Sequence, residues 1–186
     1  MQVTHSLDNN SFELRFPVYN GKHKDISKFF GFDVINMLYL INKNDIIEQN
    51  HTLVTSPIVN RDDVGEASVG FLFYHLFKDC GMPQYYLNMK MILKIHDNIM
   101  RYTSEVIHDT PDFVENLSAR IRQPKPIPIS KMDIQVEIPG PSMAVVTISF
   151  SLDNKGPGSI SHRTRMVTMI FKQMFNRLKE FIESVP

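Results

Sequence analysis

The side chains able to carry chemistry are few and widely spread. Of seven histidines, two head His-Asp pairs, His96-Asp97 and His108-Asp109, twelve residues apart. A metal-dependent phosphohydrolase needs such a pair, a further His and a distant Asp. Imidazole nitrogens and carboxylate oxygens together hold a divalent cation, which then activates a bound water. His75, His96, Asp97 and Asp153 are the residues that could be recruited to that task. No H-E-x-x-H stretch occurs, and no two histidines stand three or four residues apart, as two ligands on one helix face would.

Nucleophilic chemistry has less to stand on. The single cysteine, Cys80, precedes Gly81 and Pro83 at what reads as a helix C-terminus, where the dipole disfavours a thiolate. There is no G-x-S-x-G elbow. The GPGS stretch at 156–159 lacks both the Lys-Ser/Thr of a P-loop and the spacing of a dinucleotide fingerprint. No catalytic residue, metal or cofactor is therefore expected. A non-enzymatic role is the first reading, and an HD-type phosphohydrolase, a small ligand-binding domain or an adaptor subunit is the alternative.

Charge layout says more than charge total. Twenty basic residues balance twenty acidic ones, which removes any global pull toward nucleic acid or membrane. Residues 62–115 nevertheless carry nine acids and four bases, a net of −5. Residues 154–179 carry six bases, Lys155, Arg163, Arg165, Lys172, Arg177 and Lys179, and no acid. A second acid-free stretch, 116–132, adds Arg120, Arg122, Lys125 and Lys131. The basic part suits an anionic partner, a lipid surface or a nucleoprotein. Asp62, Asp63 and Glu66 could meet it in a second copy, giving head-to-tail homo-oligomers. Sequence-specific nucleic-acid binding is not expected, since the bases are not interleaved with aromatics.

These residues must be positioned by a core, and the composition allows one. The chain has 186 residues, 42% hydrophobic and 22% charged, which fits a single domain over 1–186 and excludes disorder. One cysteine rules out an internal disulfide framework. The first fifteen residues have no apolar core, and the apolar runs at 29–41 and 69–77 are broken by Asp33, Asn36 and His75. The expectation is a cytoplasmic chain, neither secreted nor spanning a membrane.

Periodicity assigns the elements. Residues 1–10 read as a flexible N-terminus, and Ser11–Tyr19 alternates as a strand whose Pro17 suggests an edge. A helix is expected over 25–42, weakened at Gly31, then a short strand at 51–59. The aromatic stretch at 67–79 reads as a helix stopped by Gly81 and Pro83. Residues 85–107 fit either a strand pair or a helix, and 110–122 a short helix with Pro111 in its first turn. Pro124, Pro126 and Pro128 make 123–130 an exposed connector. A hairpin over 131–138 and 144–152 precedes a helix over 161–184. That helix carries the apolar stripe Val167, Ile170, Phe171, Met174, Leu178, Phe181, Ile182 and Val185. The fold class is α+β, a small antiparallel sheet with a C-terminal hairpin packed by amphipathic helices.

This order resembles that of rhabdovirus matrix proteins, particularly the short plant-infecting members. An early strand (SFELRFPV) leads to a helix and a second aromatic helix (VGFLFYHLF). A hairpin (MDIQVEI and AVVTISFSL) and a C-terminal helix follow. The Lys-rich N-terminus and the PPxY or PTAP motif of animal-virus members are missing. The resemblance implies a self-assembling structural protein between a nucleocapsid and a membrane, and association with a virion.

Overall fold

Every second residue of Ser11–Tyr19 is large and apolar or proline-flanked, and an antiparallel sheet grows from this segment. The computed structural model describes residues 1–6, 10–56, 64–115, 123–153 and 160–186. Strand β1 (Gln2–Ser6) pairs antiparallel with β2 (Ser11–Tyr19), so the lead-in expected to be flexible is a strand over its first residues. β2 buries Phe12, Leu14, Phe16 and Val18 on its inner face. Pro17 lies beyond Arg15, where pairing with β1 stops. There the strand has a single neighbour, a position that tolerates a missing N–H.

The single helix expected over 25–42 is two pieces. Asp25 Oδ1 accepts from the Ser27 amide at 3.1 Å and caps a 3-10 turn, Ile26–Phe30. Gly31 is extended (φ −82°, ψ −172°), and helix α1 (Asp33–Asn42) starts after it. Two short strands, β3 (Ile47–Asn50) and β4 (Leu53–Ser56), then pair with β5 (Val64–Phe73). The aromatic helix expected over 67–79 is thus corrected to a strand as far as Phe73, followed by a turn and a 3-10 turn at Lys78–Cys80. β6 (Tyr85–His96) and β7 (Ile99–Val106) form a hairpin, which resolves 85–107 as sheet.

A four-residue helix α2 (Asp112–Glu115) follows, and residues 116–122 of the expected helix lie outside the described residues. β8 (Lys125–Pro126) pairs parallel with β6 and is exposed, while Ile127 and Ile129 are buried, so 123–130 is partly exposed and partly anchored in the core. β9 (Ile129–Gly140) and β10 (Met143–Leu152) make the expected hairpin, and α3 (Ile160–Ser184) ends the fold. Among the described residues the ten strands form one sheet. Its order is β1-β2-β10-β9-β7-β6-β5-β3, with β4 also on β5 and β8 on β6. The α+β class is as expected, but the sheet is large.

That sheet curls around α3. β2 and β5 stand five places apart in the sheet order, yet both reach the helix. The Phe16 and Phe175 rings are 6.5 Å apart, as are those of Phe73 and Phe171. Phe150 of β10 lies 4.6 Å from Phe171. The buried apolar side of α3 follows the expected stripe, except that Met166 and Phe175 are also inside and Phe181 is 39% exposed.

The far end of α3 is held by a side chain. Asn20 is buried, and its Nδ2 donates to the carbonyls of Ile182 at 2.6 Å and Val185 at 3.0 Å. Its Oδ1 accepts from the Lys22 amide at 3.0 Å. Carbonyls in the last turn of a helix lack intrahelical partners, and here Asn20 supplies one. Asn20→Ala is expected to cost about 2 kcal/mol, because buried acceptors lose their donor. Differential scanning calorimetry should show the midpoint falling by roughly 4–8 °C for a chain of this size.

Candidate functional site

Between the curled sheet and α3 the packing is incomplete. A cavity of about 50 Å³ lies there, by the measure in which one water needs ~10–15 Å³. Its floor is the inner face of the sheet, including Val69, Leu87, Met91, Val136 and Val146. Phe30 of the 3-10 turn and Val34, Ile35 and Leu38 of α1 form one wall. Phe171, Met174, Phe175 and Leu178 of α3 form its roof. These residues meet because period-two strands and a period-3.6 helix each turn their apolar set inward.

The electrostatics of the lining are simple. It contains no charged side chain, and Tyr102 brings its one hydroxyl. That hydroxyl donates to the Phe30 carbonyl. Burial pushes its pKa far above the ordinary phenol range, so it stays neutral. An occupant of this space finds hydrocarbon, aromatic faces and thioethers, and no free donor or acceptor.

The residues singled out by sequence lie elsewhere. Arg163 is buried, with Nη1 donating to the Asp153 carbonyl at 2.7 Å, so it serves the fold and not a surface. Arg165 and Lys172 are exposed on α3, and Lys125 on β8. Arg177 pairs with Asp45 at 2.6 Å and Lys179 with Glu183 at 2.5 Å. Glu66 pairs with Lys90 at 3.0 Å within the same chain. Lys155, Arg120, Arg122, Asp62 and Asp63 lie outside the described residues.

The histidines do not converge either. His75 Nε2 donates to the Met82 carbonyl at 2.6 Å, and His96 and Asp97 sit exposed at the β6–β7 turn. Among the described residues no three His, Cys, Asp or Glu side chains come together to hold a metal. The HD-type set of His75, His96, Asp97 and Asp153 is therefore not assembled. The cavity residues went unnoticed in sequence because each is an ordinary core residue. The one available signal was the Met and Phe content of the α3 segment.

No family model matches the sequence, and no curated protein sequence matches it. Solved structures do. Human STARD10 superposes with a TM-score of 0.64 at 7% identity, covering 97% of this chain and 72% of that one. The lipid transfer and protein localization domain of human StarD13 (DLC2) gives 0.59 at 10% identity, covering 94% and 78%. The di-domain aromatase/cyclase BexL of the BE-7585A biosynthetic pathway gives 0.51 at 10% identity, covering 96% and 52%. The chain has the helix-grip fold that these structures share, a curled antiparallel sheet gripping a C-terminal helix.

This overturns the matrix-protein resemblance. The element order fitted only while VGFLFYHLF was read as a helix, and most of it is β5. The viral structural role and the association with a virion fall with it. Among the described residues no helix is long and apolar enough to cross a membrane.

Proposed function

We propose that the chain binds a hydrophobic ligand, the hydrocarbon part of a lipid-like molecule, in the cavity between its sheet and α3. The observation that carries this reading is the lining, apolar on every side and donated by the sheet, α1 and α3 together. The fold alone does not choose between binding and catalysis, since it hosts both a lipid transfer domain and an aromatase/cyclase. What favours binding is chemistry. General acid–base catalysis needs a titratable group within reach of the reacting atoms, and the lining offers only a neutral tyrosine already hydrogen-bonded. Drug-sized ligands occupy roughly 300–1,000 Å³, so loading must push walls apart. Met91, Met132 and Met174 are the flexible members of the lining that make this cheap.

Filling the space tests the reading. Val146 sits on β10 opposite Phe16 and Val136 and lines the cavity. Val146→Phe should reduce affinity for a fluorescent fatty-acyl probe by about a hundredfold, equivalent to ~2.7 kcal/mol. The thermal midpoint should hold or rise by a few degrees, because cavity filling commonly adds ~0.5–2 kcal/mol. Unchanged probe affinity in a folded variant would place binding elsewhere.

A further inference from the structure

The lining of the cavity offers no free donor or acceptor, but α1 carries one just beyond it. Ile35 and Leu38 of that helix line the cavity. Asn42 follows at the spacing of three and four residues that keeps side chains on one helix face. It is completely buried, at 0% exposure, where the stripe calls for an aliphatic side chain. Helical side chains lean toward the N-terminus, which carries the Asn42 amide back toward Leu38 and the cavity. The observed bond agrees, with Nδ2 donating to the Leu38 carbonyl at 2.8 Å.

The Asn42 Oδ1 atom is left over. It is shielded from solvent and meets no donor among the described residues. Turning the amide over does not help, because it would set Oδ1 against the Leu38 carbonyl, acceptor against acceptor. The backbone fixes the residue as well. The Asn42 carbonyl accepts from the Asp45 amide at 3.2 Å and the Ile46 amide at 2.9 Å, and Asp45 pairs with Arg177 of α3 at 2.6 Å. A buried acceptor without a donor is costly, so its retention on this face asks for a partner.

We propose that Asn42 Oδ1 is the polar contact of the bound ligand, and that this ligand is a neutral hydrophobic molecule bearing a hydroxyl. The inference rests on the hydrocarbon-binding reading above and adds the chemistry of the ligand's polar end. Oδ1 can only accept, so the ligand must bring the hydrogen. A hydroxyl does so, whereas an ether or ketone oxygen does not. No charged side chain lines the cavity, so an ionised head would lose its hydration with no opposite charge to replace it. One helical turn, about 5.4 Å, separates Asn42 from Leu38. As the Leu38 side chain gives way to the entering ligand, the hydroxyl comes within reach of Oδ1.

Dodecanol and dodecyl methyl ether share a chain and an oxygen but differ in the donor, and 2-naphthol and 2-methoxynaphthalene do the same on a ring. Each is competed against the fluorescent fatty-acyl probe. Asn42→Leu should weaken the alcohols about tenfold, equivalent to ~1.4 kcal/mol, and leave their ethers unchanged. The variant's thermal midpoint should hold or rise, since it removes an unmet buried acceptor. A loss confined to dodecanol assigns a chain alcohol, and one confined to 2-naphthol a ring alcohol. Equal losses for alcohol and ether, or no loss, overturn the contact, as they would if Oδ1 served an internal water. The native chain gives a check that needs no substitution. The NMR signals of the Asn42 side-chain amide should move further with an alcohol than with its ether, and equal movement also overturns the contact. Failure of all four compounds to displace the probe from the native chain overturns the hydrocarbon-binding reading itself.

Discussion

Phe171→Ala should lower stability by about 4 kcal/mol, the upper range for truncating a buried aromatic. Phe171 is 1% exposed and sits where the sheet closes on α3. Its ring lies 4.6 Å from Phe150, 6.4 Å from Phe175 and 6.5 Å from Phe73. Truncation removes these contacts and merges the vacated space with the existing cavity, so the loss has a second signature. A small apolar molecule such as benzene should raise the variant's urea midpoint more than the native chain's, because an enlarged dry cavity binds such molecules. At a hundred times its Kd such a ligand returns about 2.7 kcal/mol. A loss below ~1 kcal/mol, or equal effects of benzene on both proteins, would mean that α3 settles into the gap. The separation of sheet and helix would then not be held by the surrounding frame.

Arg163→Ala is expected to cost about 2–3 kcal/mol, the scale of a hydrogen bond from a charged donor lost at a buried site. Arg165→Ala and Lys172→Ala should each stay within ~0.5 kcal/mol, as exposed substitutions do. In sequence these three bases are members of one acid-free run. In the fold, Arg163 is 4% exposed and donates to the Asp153 carbonyl, fastening the start of α3 to the end of β10. Its charge also reaches Tyr85, where it partly opposes the burial that raises the phenol pKa. Chemical denaturation of the three single variants decides the matter. Equal small losses at all three positions would return Arg163 to the surface set.

The two cases share a physical origin, which also explains what could be read in advance. Side chains on α3 alternate between core and solvent within a single turn. A base at 163 and a base at 165 therefore have unrelated environments despite their proximity in the chain. Net charge per segment ignores this, and the expected basic surface was drawn from segments.

Gly70 shows the same limit on the sheet. A Cβ added there would lie 2.7 Å from Phe113 Cε1, because α2 packs on the outer face of β5 at this point. Leu72, Tyr86, Val114 and Phe113 form a small second core on that face. β5 is consequently buried on both faces from Val69 to Phe73. Two-sided burial erases the period-two alternation that marks a strand, and the continuous apolar run then reads as a helix. That misreading supplied the aromatic helix on which the matrix-protein resemblance depended.

The sequence by itself determined the elements whose one face meets water: β2, the β9–β10 hairpin and α3, together with the α+β class. Each carries its own periodicity, so no partner is needed to recognise it. Tertiary structure alone decided that β5 is a strand, that Arg163 is internal and that the sheet curls far enough to grip α3. It also decided the cavity. An enclosed apolar space is a property of how Phe30, Val146 and Phe171 fail to meet, and those residues are separated by whole strands of chain. No local pattern records a gap between faces, because each face is patterned as if it were packed.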